Sequence, residues 1–163
     1  MYYVSLYLHI LSAIFWIGGM LFTVAVLVPI SRHKIIEPNR GTFFRIVGEK
    51  FSRISWILFL ILIITGITNL TTRGFDLTVL FTADFWQVGF GYFLGIKLMI
   101  FSAVLIISGL HDFYFGPKAA KLMESEPDST QTQFFRKITS WLGRINLLFG
   151  LMILYYALRV VRG

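Results

Sequence analysis

The chain has 163 residues, of which 56% are hydrophobic and only 14% are charged. Soluble domains are typically ~45–50% apolar and ~25% charged, so this composition excludes an ordinary water-soluble domain and indicates a protein embedded in a lipid bilayer. The chain contains no cysteine, which excludes disulfides, thiolate metal sites, iron–sulfur clusters and cysteine-attached haem.

Four apolar segments follow one another along the chain, at about residues 3–29, 54–71, 90–115 and 141–161. A helix needs ~20 mostly apolar residues to cross a bilayer. None of the segments alternates in the way that a strand of a membrane β-barrel does. The sequence therefore predicts a single all-α domain, residues 1–163, folded as a bundle of four transmembrane helices.

The basic residues are distributed unevenly between the three connections. Residues 31–53 and 116–140 contain ten Lys and Arg residues, whereas residues 71–89 contain only Arg73. Basic loops face the cytoplasm, so we expect both termini outside, in a bacterial inner membrane. The first connection is amphipathic and is expected to lie along the membrane surface, and residues 116–125 are expected to form a short interfacial helix.

The net charge of +7 does not indicate a nucleic-acid partner. The bases lie in the connections and at segment ends, and no basic strip is interleaved with stacking aromatics. The bilayer is the expected partner, with a homodimer as a further expectation.

Three ionisable side chains, His9, Lys97 and His111, lie inside the apolar segments. Such residues are costly at membrane depth and usually mark functional sites. With both termini outside, His9 and Lys97 are expected at one level near the outer leaflet. His111 follows Lys97 by 14 residues, which is about 21 Å along a helix.

His9 and Lys97 are expected to hold a haem between the first and third helices. A neutral imidazole is a good axial ligand for haem iron, and a lysine amine can ligate once it is deprotonated. The plainer alternatives are a hydrogen bond from His9 to a neighbouring helix, snorkelling of Lys97 to the outer interface and a solvated His111. A second haem would need another ligand, for example His33, so one haem is the preferred expectation.

Helical periodicity groups the polar residues into two stripes. Both stripes are expected to face the bundle interior, with Phe15 and Phe101 packing around the cofactor. Arg144 near the start of the fourth segment is a further candidate, for which snorkelling to headgroups is the alternative. The stripes consist of His9, Trp16, Met20 and Thr23 on the first helix, and of Lys97, Ser108 and His111 on the third.

Three stretches resemble two families of integral membrane proteins. LHILSAIFWIGGMLF resembles the first helix of CopD-like copper-resistance proteins and of HemJ-type protoporphyrinogen oxidases. GIKLMIFSAVLIISGLHDFYFGPKAAKL resembles their third helix, and GRINLLFGLMILYYALR is similar to the closing helix of the HemJ type. The HemJ resemblance implies a b-type haem near His9, with Lys97 also functional. The CopD resemblance implies copper movement, with His9, Met20, Met99 and His111 as ligands.

Three functions remain open at this point. The first is a haem-dependent redox protein of cytochrome b type, acting in electron transport or as an oxidoreductase, with a quinone as one electron partner. The second is copper transport or resistance, and the third is a structural subunit of a membrane complex. The sequence contains no nucleotide-binding loop and no carboxylate pair within the apolar segments, so any oxidase activity would belong to the cofactor.

Overall fold

Four long helices make up the computed structural model, which describes residues 2–87 and 89–162. Each helix is long and apolar enough to cross a bilayer, and the described residues contain no strand. The prediction of an all-α four-helix membrane bundle is confirmed, and the protein is an integral membrane protein. The helices are α1 (Tyr2–Ile30), α2 (Arg40–Thr72), α3 (Gly89–Ser125) and α4 (Thr130–Arg162).

Neighbouring helices run antiparallel, so the chain termini and the second connection share one end of the bundle. We call this the outer end, and the opposite end, which carries the first and third connections, the inner end. α1 packs mainly on α2, and α3 packs mainly on α4. α1 also contacts α4, and the inner part of α3 contacts α2. α1 and α3 therefore lie diagonally across the bundle.

Two helices begin earlier than the hydropathy pattern predicted. α2 begins at Arg40 rather than near residue 54, and α4 begins at Thr130 rather than near residue 141. Residues 116–125 continue α3 instead of forming a separate interfacial helix. Hydropathy marks where a helix enters the hydrocarbon layer. The helix itself can begin earlier in the chain, among polar residues, and α2 begins directly after the helix-breaking Pro38 and Asn39.

The inner extensions of α2 and α3 pack against each other. Gly41 permits this close approach, because a Cβ there would lie 2.9 Å from Glu124 Cγ and 3.1 Å from the Ala120 carbonyl oxygen. Thr42 Oγ1 and Arg45 Nε both donate to Glu124 Oε1, at 2.9 and 3.1 Å. The part of the basic first connection that begins at Arg40 is therefore helical and packs against α3.

Two helices contain a widened π-helical turn, Thr23–Leu27 in α1 and His111–Phe115 in α3. Each turn is followed within two residues by a proline, Pro29 or Pro117. A proline inside a helix lacks the N–H group and clashes with the carbonyl four residues earlier. The wider turn accommodates this clash, and in α3 it carries the ionisable His111.

The centre of the bundle is closed by large side chains. Trp16 and Phe59 meet edge to face with ring centroids 5.1 Å apart, and Phe101 contacts Phe59 at 5.9 Å. Phe59 is 1% exposed and Val104 is 0% exposed. Gly150 leaves room for this packing, since a Cβ there would lie 3.3 Å from the Trp16 ring. The middle of the bundle is therefore a packed apolar core.

The second connection folds over the outer end in two short 3₁₀ turns, Leu77–Phe81 and Asp84–Trp86. The indole Nε1 of Trp86 donates to the Leu80 carbonyl at 3.0 Å. Asp76 accepts from the Thr78 backbone N–H at 3.0 Å. This hydrogen bond to the charged form holds the pKa of Asp76 below its usual value.

Candidate functional site

His9 lies between α1 and α2 near the outer end, and it is half-buried. Its Nδ1 atom is 2.8 Å from Thr65 Oγ1 on α2. One helical turn earlier, Ser5 Oγ donates to the Thr65 carbonyl at 3.3 Å. The next residue, Gly66, lies beside the ring, and a Cβ there would make an ordinary van der Waals contact with His9 Cε1, at 3.6 Å. The imidazole is thus held in one orientation by α2.

The Thr65 hydroxyl determines which nitrogen of His9 carries the proton. Thr65 Oγ1 lies 2.6 Å from the Ile61 carbonyl, which can only accept, so the hydroxyl proton points there. The Leu62 carbonyl, 3.4 Å from the same oxygen, is a second acceptor for this hydroxyl proton. Thr65 Oγ1 therefore accepts from His9 Nδ1–H. In the neutral imidazole this leaves an unshared electron pair on Nε2.

Lys97 on α3 lies toward the same end of the bundle as His9, and its charge acts on the imidazole. Lys97 is also half-buried. It interacts in turn with Arg73, which follows the last residue of α2. The structure therefore brings the two sequence-predicted residues of the outer leaflet to one end of the bundle, together with a cation that the sequence had not singled out.

The outer end carries Arg73, Lys97 and Arg159, together with two carboxylates, Asp76 and Asp84, in the second connection. The Arg73 guanidinium lies over the Phe90 ring at 5.6 Å, and Arg159 lies over the Phe93 ring at 5.5 Å. Within residues 2–87 and 89–160, the salt bridges involve only Arg45 and His111 as the basic partners. Arg73, Lys97 and Arg159 form none of them. An anionic ligand at this end would meet unneutralised cations.

His111 lies at the inner end, in a different polar cluster. Its Nδ1 is 2.8 Å from Asp112 Oδ1, and Trp56 Nε1 donates to Asp112 Oδ2 at 3.2 Å. The Asp112 side chain is 13% exposed. Trp56 precedes Thr65 by nine residues on α2, which is roughly 13 Å along the helix axis. His9 and His111 therefore belong to two sites, one at each end of the bundle.

The other predicted site residues lie away from His9. Trp16 and Met20 are buried in the apolar core, where both pack against Gly150. Arg144 is exposed and stacks over Trp141 at 5.4 Å. Phe15 is 63% exposed, so its ring faces outward rather than toward a bound cofactor.

The residues of the copper hypothesis do not come together. Met99 is 73% exposed on the lipid-facing side, and Met20 is in the core. His33, the candidate ligand for a second haem, is exposed in the first connection. Within the described part of the chain, no three His, Asp or Glu residues are close enough to share a metal ion. A copper site built from these side chains has no geometric support.

Sequence reasoning missed Thr65 and Arg73. A threonine inside an apolar helix is common, because it satisfies its hydroxyl on the preceding turn, and Thr68 and Thr72 do so here. Gly66, the next residue, gives little signal either, because a Cβ there would still make an ordinary contact with His9, at 3.6 Å.

Comparison with known proteins shows the family. A model described as "Domain of unknown function (DUF4149)" matches residues 11–128, which include most of α1 and all of α2 and α3. A protein of Aquifex aeolicus (strain VF5), described as an uncharacterized protein, is 33% identical over 159 residues, covering 97% of this chain and 94% of the relative. No solved structure matches the chain. From the extent of these matches, the chain belongs to the DUF4149 family.

Proposed function

We propose that this protein binds a b-type haem at the outer end of the bundle, where His9 Nε2 would hold the iron, and that it works in electron transfer or haem-dependent oxidation. The hydrogen bond between His9 Nδ1 and Thr65 Oγ1 carries the proposal. Histidines that ligate metals commonly donate their other ring N–H to a neighbouring acceptor, which sets the tautomer and the ring orientation.

The donor chemistry of the outer end suits a haem. His9 offers an imidazole nitrogen, and Lys97 offers an amine from the opposite side of the bundle. Arg73 and Arg159 provide positive charge of the kind that two propionate groups need. The core at Trp16 and Phe59 is closed, so the group would have to lie outward of it.

Haem would supply the one-electron chemistry, and the protein would supply ligation, orientation and positive charge. The resemblance of the first and third helices to HemJ-type proteins supports the same assignment. The ten-to-one excess of bases in the first and third connections supports a bacterial inner membrane with the haem end facing outward. A quinone is the proposed class of electron partner.

An absorption spectrum of the purified protein tests this function. Protein isolated in mild detergent from haem-replete cells is expected to show a Soret band that shifts when dithionite reduces the iron. The pyridine haemochrome assay should give about one haem per chain, as expected for a single axial imidazole site. A colourless, folded preparation that also fails to take up added haemin would contradict the proposal.

The Thr65 hydrogen bond gives a prediction of its own. Thr65→Val keeps the side-chain shape but removes the acceptor for His9 Nδ1–H. Loss of such an outer hydrogen bond typically weakens metal binding by ~10–100-fold, and we expect haem affinity to fall by this amount in a haemin titration. Thr68→Val is the matched control, because the Thr68 hydroxyl bonds only to its own helix, at the Ile64 carbonyl. Equal affinities in the two variants would argue against the assigned tautomer.

A further inference from the structure

A layer of polar side chains lies directly inward of the closed core. Each member lies one helical turn closer to the inner end than a buried residue of the same helix, and the hydrogen bond between Asn146 and Ser108 places these two side chains at one height. Every member is buried, with an exposure of 8% or less. The layer consists of Ser55, Ser108 and Asn146.

Two oxygen atoms in this layer have no hydrogen-bond partner among the residues that the structure describes. Asn146 Nδ2 donates to Ser108 Oγ at 2.8 Å, but the Asn146 Oδ1 atom has no donor within the described residues. Ser55 Oγ on α2 is likewise buried and unpartnered there. Ser55 is 3% exposed and Asn146 is 7% exposed. Buried polar atoms of native proteins nearly always have a partner, which is often an ordered water.

The layer is separated from the outer end and lies close to the inner end. On its outer side, Phe59 and Val104 are fully buried and apolar. On its inner side, the next turn of α3 carries His111 and Asp112, which contact each other, and Trp56, the residue after Ser55 on α2, donates to Asp112. The His111 side chain is 31% exposed. Polar groups thus continue from the layer toward the inner surface, but not toward the outer one.

We propose that the layer binds internal water, which enters from the inner end and stops at Phe59 and Val104. Asn146 Oδ1 can only accept, so a water molecule would donate to it, and Ser55 Oγ and Ser108 Oγ offer further partners. An internal water commonly makes about three such bonds. The inner half of the bundle is therefore a hydrated passage with a closed outer end. This inference does not depend on haem binding.

The absence of native cysteine allows a direct test by single cysteine substitution. Ser55→Cys and Ser108→Cys place a thiol in the layer with almost no change of shape. Ser12→Cys is the matched control, because Ser12 is equally buried, at 5% exposure, but lies on the outer side of Trp16. Silver ions, which are small and react with thiolate, would be added to inside-out membrane vesicles, followed by maleimide labelling in SDS to count the remaining thiols.

Thiolate forms only where water reaches the sulfur. We therefore expect silver to block the thiols of Ser55→Cys and Ser108→Cys at a rate at least about ten-fold higher than that of Ser12→Cys. Val104→Cys, in the core itself, should react as slowly as the control. Slow reaction at both layer positions would overturn the proposal, and so would equally fast reaction from the outer side in right-side-out vesicles. Protein that elutes as one species before labelling confirms that each variant is folded.

Discussion

Replacing His9 with alanine is expected to abolish haem binding while leaving the bundle folded. His9 is the only His at the outer end, and its Nε2 atom is the imidazole nitrogen that the Thr65 hydrogen bond leaves unprotonated. Loss of the axial ligand itself should weaken binding more than loss of its outer hydrogen bond, so we expect affinity to fall by at least about 100-fold. The measurement is the haem content of purified protein, together with a haemin titration followed at the Soret band.

Two further histidine variants make this result specific. His33→Ala changes an exposed residue of the first connection, and it should keep the full haem content. His111→Ala removes the partner of Asp112 at the inner end, and it should also keep the haem if a single haem is bound at His9. Retention of haem in His9→Ala, with loss in His111→Ala, would move the site to the inner end of the bundle.

Replacing Phe59 with alanine is expected to give a large loss of stability. Phe59 is 1% exposed, and its ring contacts those of Trp16, Trp56 and Phe101. Moving a side chain out of lipid gains little free energy, so helices in a bilayer associate through packing. The cavity left by the ring would remove contacts with α1 and α3. Comparable Phe-to-Ala changes cost about 3–5 kcal/mol in soluble cores, and we expect about 3 kcal/mol here.

The adjacent residue provides the control. Leu60 is on the same helix but is 58% exposed, so it faces lipid. Leu60→Ala should change the free energy of unfolding by less than about 0.5 kcal/mol, as is usual for exposed positions. Unfolding by SDS in mixed micelles, followed by circular dichroism, would measure both. Equal costs for the two variants would show that the centre of the bundle is not the packed core described above.

The number and depth of the helices could be predicted from the sequence because each depends on local properties. An apolar segment longer than the bilayer is thick has to cross it as a helix, since its backbone groups find no partners in lipid. The rise of about 1.5 Å per residue then sets the level of each residue, which is why His9 and Lys97 share one end of the bundle. The helix ends at Arg40 and Thr130 were not predictable in this way, because polar helical turns outside the bilayer leave no hydropathy signal.

The sequence by itself therefore determined the fold class, the helices that carry ionisable residues and the chemistry those residues could perform. Only the tertiary structure decided which groups meet. The acceptor for His9 comes from α2, at Thr65, and the partner of Asp112 also comes from α2, at Trp56. These contacts join residues 56 positions apart in the chain, and they depend on how the helices pair and rotate. Pairing and rotation follow from the packing of all four helices around Phe59 and Val104, which no single segment encodes.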